Sequence, residues 1–145
     1  MAYIIHINDD IYKIASNDTE RDEVSAAIPP YVATEISDSD FSKIKNNTAV
    51  VSISGGTVSI TDLDESSIIF QDEDELKQYI ETLKPLMQSF IQKDNESKSL
   101  YSTINSYLTT LNTHDYSSIT YPLNNTWEKY CEDNSIDYIN TLQIP

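Results

Sequence analysis

The stretch from Leu76 to Leu111 sets the terms for everything else in the chain. Leu76, Ile80, Leu83, Met87 and Phe90 follow one another at alternating steps of four and three. The stepping continues through Asp94 and Ser97 to Tyr101, Ile104, Leu108 and Leu111. Such spacing puts every member on one face of an α-helix. Two polar residues, Asp94 and Ser97, break the stripe once. Either the helix turns back near Lys93–Ser97 and its two apolar stripes bury each other as a helical hairpin, or one long kinked helix runs on. The hairpin is expected, because a rod would seat Asp94 and Ser97 in an apolar seam. No Gly or Pro marks the turn, which keeps the long helix as the alternative. Asp72 caps the first helix, Glu75 sits three residues on as in a capping box, and Glu73 and Asp74 suit the positive end of the dipole. Pro85 has no amide hydrogen and its ring collides with the preceding turn, at a cost of ~3 kcal/mol, so a kink is expected near Glu81–Pro85.

Upstream, the chain reads as short strands. Tyr3–Ile7 and Ile11–Ala15 are apolar and β-branched around Asn8-Asp9-Asp10, a hairpin pattern. Ser16–Ser25 is polar and charged and reads as loop. Pro29-Pro30 excludes a helix and leads in extended form to a strand at Tyr31–Ile36. Ser37 offers a cap for a short helix with Asp38 and Asp40 in its first turn, and Phe41, Ile44 and the stem of Lys45 inward. That helix should end near Asn46-Asn47. Ala49–Ser54 and Thr57–Asp62 flank Gly55-Gly56, the residues that a two-residue hairpin turn demands. Val51 and Ile53 alternate with Ser52 and Ser54, as Val58 and Ile60 do with Ser59 and Thr61, so this sheet should be half-buried. Asp62–Ser67 reads as loop and Ile68–Phe70 as a short strand.

Downstream, a helix over Ser99–Asn112 carries Leu100, Ile104, Leu108 and Leu111. Thr113–Ser118 reads as loop and Ile119–Pro122 as extended. Asn125 is placed to cap a short helix, with Glu128 at the capping-box position. Ile136, Tyr138, Ile139 and Leu142 form a last apolar segment, and Gln143-Ile144-Pro145 reads as an extended, docked tail. The sum is an α+β protein. A small antiparallel β-rich lobe spans residues 1–70, and a helical lobe with a short capped helix and extended tail spans 71–145.

Composition narrows the range of functions. The 145 residues suit one compact domain or two small lobes sharing a core, and 39% hydrophobic residues with ten Tyr, three Phe and one Trp argue against disorder. Acidic residues number 24 against 9 basic, a net charge of −15. Such a surface repels nucleic-acid phosphates and anionic lipid, so neither nucleic acid nor membrane is expected as a direct partner. It suits a solvated acidic face tuned to a basic protein, or an imitation of DNA that fills the basic groove of a host protein. The single Cys131 cannot form an internal disulfide, and no apolar run approaches the ~20 residues of a membrane helix. Met1 to Asn8 lacks the basic head of a secretory signal, so cytosol, or a particle assembled there, is the expected location. The sequons at Asn17, Asn46, Asn95 and Asn124 are chance matches in an Asn- and Ser/Thr-rich chain.

Catalytic patterns are not found. His6, in a predicted strand, and His114, in a predicted loop, lie far apart without metal-ligand spacing. Cys131 sits in a Trp- and Tyr-flanked helix, where packing accounts for it better than nucleophilic chemistry. Asp62, Asp64, Glu65, Asp72, Glu73, Asp74 and Glu75 lack the spacing and central glycine of a calcium loop. No phosphate-cradling glycine loop and no GxSxG occurs. The expectation is therefore no enzyme, no metal and no cofactor. Aromatic residues gather late, and Tyr and Trp anchor interfaces as well as cores. The candidate partner-binding residues are Tyr101, Tyr107, Tyr121, Trp127, Tyr130 and Tyr138, with Ile144 in the apolar tail.

From Tyr101 to Pro122 the residues invite comparison with a known family. Tyr101, Ile104, Tyr107, Leu108 and Leu111, followed by Asp115, Ile119, Tyr121 and Pro122, resembles the C-terminal segment of tailed-bacteriophage tail-fibre assembly proteins and related small tail proteins. Ile104 stands where those proteins usually carry Trp. The continuation from Asn125-Thr126-Trp127-Glu128-Lys129-Tyr130 to Leu142-Gln143-Ile144-Pro145 is similar to the ends of small proteins of marine tailed phages. The resemblance implies a structural or accessory role in a phage tail, baseplate or fibre attachment, through protein–protein contact. The partners implied are other phage structural proteins, or a second copy as a homo-oligomer. A non-virion assembly chaperone for the fibre, or an acidic inhibitor of a host protein, are the alternatives.

Overall fold

A computed structural model describes residues 1–7, 9, 11–26, 31–64 and 70–145 of the chain. Asn8 and Asp10 of the expected turn, Pro29-Pro30, Glu65 of the acidic run, and Ile68 of the expected short strand lie outside these. Antiparallel strands dominate the N-terminal half and helices follow, so the protein is α+β. It divides into two compact units, one of Met1–Leu63 with Leu142–Pro145, the other of Asp64–Thr141.

In the first unit, β1 (Ala2–Ile7) lies between β2 (Ile11–Ala15) and β3 (Val32–Ile36), antiparallel to both. As the central strand it is buried on both faces, and its alternation divides two cores. Ala2 and Ile4 join Ile14, Phe41, Ile44 and Ala49 on one side; Tyr3 and Ile5 join Ala15 and Val24 on the other. The first core is covered by α2 (Asp38–Lys45) and by the hairpin of β4 (Ala49–Ser54) and β5 (Thr57–Asp62). Ser37 caps α2 by accepting from the Asp40 amide, and Phe41 and Ile44 are its buried residues. Val51 pairs with Ile60 and Ile53 with Val58, which gives the hairpin one half-buried apolar face. Gly55 and Gly56 both hold positive φ, at 58° and 79°, the backbone that the two-residue turn requires. Their amides donate to the two carboxylate oxygens of Asp9, at 3.1 and 3.2 Å.

The second core is closed by a helix where the sequence reads as loop. Asp18–Ser25 forms α1. A reciprocal cap drives it: the Asn17 side chain accepts from the Glu20 amide, and Glu20 accepts from the Ser16 amide and hydroxyl and the Asn17 side chain. Val24 is its one buried aliphatic residue, so no apolar period announces it. Arg21 lies over the Tyr3 ring, 4.9 Å from its centroid, and Tyr3 donates to Asp18.

In the second unit, α3 (Glu73–Gln92) runs as one helix through Pro85 and buries Leu76, Ile80, Leu83, Met87 and Phe90, the whole expected stripe. Asp72 caps it, accepting from the Glu75 amide at 3.0 Å, while Glu75 reaches back to the Gln71 amide. The chain then turns back, so the hairpin forms. Asn95 donates its side-chain amide to the Phe90 carbonyl at 2.9 Å, satisfying one of the carbonyls that the helix end would leave open. α4 (Tyr101–Thr113) packs along α3, with Tyr101 beside Phe90 at one end. Its buried residues are Ile104, Tyr107 and Leu111; Leu108 is only half-buried. A 3-10 turn over Tyr116–Ser118 occupies part of the expected loop. Phe70 bridges Leu123 through a reciprocal pair of backbone hydrogen bonds. α5 spans Trp127–Asp133, and its cap is Thr126, which accepts from the Lys129 amide; Asn125, expected as the cap, accepts from the Thr126 amide instead. That one-residue shift moves Glu128 out of the capping-box position. The tail is not extended throughout: Thr141–Gln143 is a 3-10 turn, and Leu142 packs on the first unit's core.

Candidate functional site

Chemistry-bearing side chains converge in the second unit, where α3, α4, the Tyr116 turn and α5 each supply one or more. On α4, Tyr107 and Leu111 are one turn apart and His114 follows as the C-cap residue, all on one side of the helix. On α5, Trp127, Tyr130 and Cys131 share a face by the same spacing. Trp127 is fully buried and its Nε1–H donates to the Tyr107 hydroxyl at 2.9 Å. Trp127 and Tyr130 stack with centroids 5.5 Å apart and planes 21° apart. The His114 ring stands edge-on to Tyr116, Trp127 and Tyr130 at 5.2, 5.5 and 6.0 Å. His114 Nε2 is buried and has no hydrogen-bond partner among the described residues. Tyr116 donates to the Leu111 carbonyl at 2.7 Å, and Tyr121 donates to the Tyr116 carbonyl at 2.8 Å.

Beside this aromatic group lies a buried carboxyl. Glu128 is 2% exposed and accepts from the hydroxyl of Tyr79, one turn along α3 from Leu76. Burial pushes the Tyr79 phenol far above its ordinary range, and the Glu128 charge pushes it further. Tyr107 is raised by burial first and by Glu128 second, and so is the Cys131 thiol. Tyr138 is raised by burial, then by Glu132 and Glu128. Around Glu128, then, phenols and thiol are all held neutral. A neutral, fully buried thiol is a poor nucleophile, so Cys131 is a packing residue. The indole and the Tyr79, Tyr116 and Tyr121 phenols spend their protons on internal acceptors. The result is a polar network that ties α5 to the α3–α4 hairpin.

The expected partner residues separate by exposure. Tyr107, Trp127 and Tyr138 are interior, at 0%, 0% and 7% exposure. Tyr101, Tyr121 and Tyr130 are half-buried and keep surface in the second unit, and Ile144 keeps surface in the first. Tyr107, Trp127, Tyr130 and Tyr138 gather around the network, Tyr121 joins through Tyr116, and Tyr101 sits apart against Phe90 at 6.2 Å. Tyr79, His114, Tyr116, Glu128 and Cys131 complete the group. Tyr79 carries a faint signal, being three residues from Leu76 and four from Leu83 and hence on the flank of the buried stripe. Asp72–Glu75 cap α3, and Glu73 also pairs with Lys77 at 3.0 Å. Among the described residues no group of His, Cys, Asp or Glu could hold a metal ion, and no helix is long and apolar enough to cross a membrane. The chain matches no protein-family model, no curated protein and no solved structure.

Proposed function

We propose that this chain is a structural or accessory protein of a tailed-phage particle, at the tail, baseplate or fibre attachment, acting by protein–protein contact. The observation that carries the reading is the pattern from Tyr101 to Pro122, with its continuation to Pro145, that resembles small tail and tail-fibre assembly proteins. The half-buried Tyr101, Tyr121 and Tyr130 support it, because each offers an aromatic edge to a partner from a braced position. Rigid aromatics lose little entropy on docking, which suits an assembly contact.

Mass spectrometry of purified virions tests the proposal. Recovery of the protein in stoichiometric amounts is the expected result. Absence from virions, with recovery bound to a fibre protein from infected lysate, would replace it with an assembly chaperone. The net charge of −15 favours one further reading, an acidic inhibitor that occupies a basic host groove. That reading requires binding to a purified DNA-binding protein that weakens steeply as salt rises.

A further inference from the structure

A strand with no neighbour presents open amides and carbonyls, and proteins blunt such edges with charge, proline or a bulge. Among the described residues, β2, β3, β4 and β5 each have an edge with no strand beside it. β2 carries Lys13, β3 carries Glu35 and β5 carries Asp62, whereas β4 carries no charge at all. From Asn46 to Thr61 no residue is charged, in a chain of which 23% is. β4 has no proline, and its register with β5 runs unbroken from Ala49↔Asp62 to Ser54↔Thr57, so no bulge turns it away. The two-residue turn makes Ser54–Thr57, Ser52–Ser59 and Val50–Thr61 the pairs that exchange hydrogen bonds. The amides and carbonyls of Val51 and Ile53 therefore point out of the hairpin. On its outer face Val50 is 46% exposed, next to exposed Ser52 and Ser54.

We propose that β4 is a self-association edge: a second copy of this chain lays its own β4 alongside, antiparallel, and the two hairpins join as one continuous sheet. An unblunted edge pairs readily with the same edge of another copy, and charge restricts where that contact can form. Two copies at −15 each repel wherever their carboxylates face, so they can touch only through neutral surface, and β4 is the uncharged strand edge among the described residues. A basic partner would be drawn to the carboxylates instead. An antiparallel β4–β4 contact also meets itself about a twofold axis, the usual symmetry of a dimer. The inference does not depend on the particle assignment above.

Sedimentation equilibrium of the full chain from low to high micromolar concentration tests it. The expected mass is twice the 16.5 kDa of the chain, with association strengthened by added salt, because salt screens the repulsion between copies. Val50→Glu with Ser52→Glu should weaken association by about tenfold or more, since like charges would meet across the new seam. Ser59→Glu with Thr61→Glu adds the same charge to the same face one strand away and should leave the dimer in place. Far-UV circular dichroism checks that both variants fold. A wild-type chain that stays monomeric throughout overturns the proposal. So does a dimer that survives the β4 variant, or one that both variants disrupt equally, which would put the contact on the hairpin's face.

Discussion

The Trp127 indole and the Tyr107 hydroxyl show what a single hydrogen bond is worth when both groups have left water. Tyr107→Phe strips the acceptor and leaves a buried N–H with no partner, so it should destabilise the second unit by about 1–3 kcal/mol, read by urea titration of Trp fluorescence. Cys131 should resist Ellman's reagent in the folded protein and react fully in denaturant, as burial and the Glu128 charge hold it in the thiol form. The phenols of Tyr79, Tyr107, Tyr116 and Tyr138 are all raised above their ordinary 10.0 by burial first. A raised acid favours the folded state while it stays protonated. Its contribution is therefore complete below the unfolded value and is lost as pH climbs beyond it. Absorbance at 295 nm should show these tyrosines ionising only as the fold opens, in a single step with the loss of circular dichroism. The packing role of Cys131 could be read from its Trp- and Tyr-flanked helix, but the Tyr79–Glu128 pair could not, because the two meet across 49 residues of chain and nothing local marks the pairing.

At the scale of elements, legibility followed periodicity. The α3 stripe could be read because every residue in it is apolar and every one is buried. The β4–β5 hairpin could be read because alternation and turn chemistry agree. α1 could not, since a polar helix with one buried aliphatic has no period to find; its only signal was Asn17 three residues before Glu20. The α5 start was ambiguous between two adjacent cap-forming residues, and the choice of Thr126 over Asn125 decides which way Glu128 faces. The hairpin turn gives a sharper test. Nothing lies within 4 Å of a Cβ built on either glycine, so substitutions there report backbone strain alone. Gly56→Ala should cost about 1–2 kcal/mol for the left-handed conformation, and Gly55→Asn much less, because Asn tolerates that region. Thermal unfolding followed at 218 nm would rank them.

For the whole molecule, the first unit has its apolar clusters around β1, and the chain's one tryptophan lies in the second unit. Ile4→Ala should remove about 2–5 kcal/mol from the first unit and lower the circular-dichroism midpoint there. The midpoint of Trp127 fluorescence should stay where it is. Equal shifts in both signals would mean that the units unfold as one cooperative body. Leu142 adds a consequence of its own. It belongs to the core that Ala2 and Ile4 begin, although the intervening unit occupies Asp64–Thr141. During synthesis that side chain emerges only after the whole of Asp64–Thr141. The earlier-made strands must therefore wait, that part of their packing unfinished, until Leu142 arrives. A change at Leu142 would therefore strike the part of the protein that was made first.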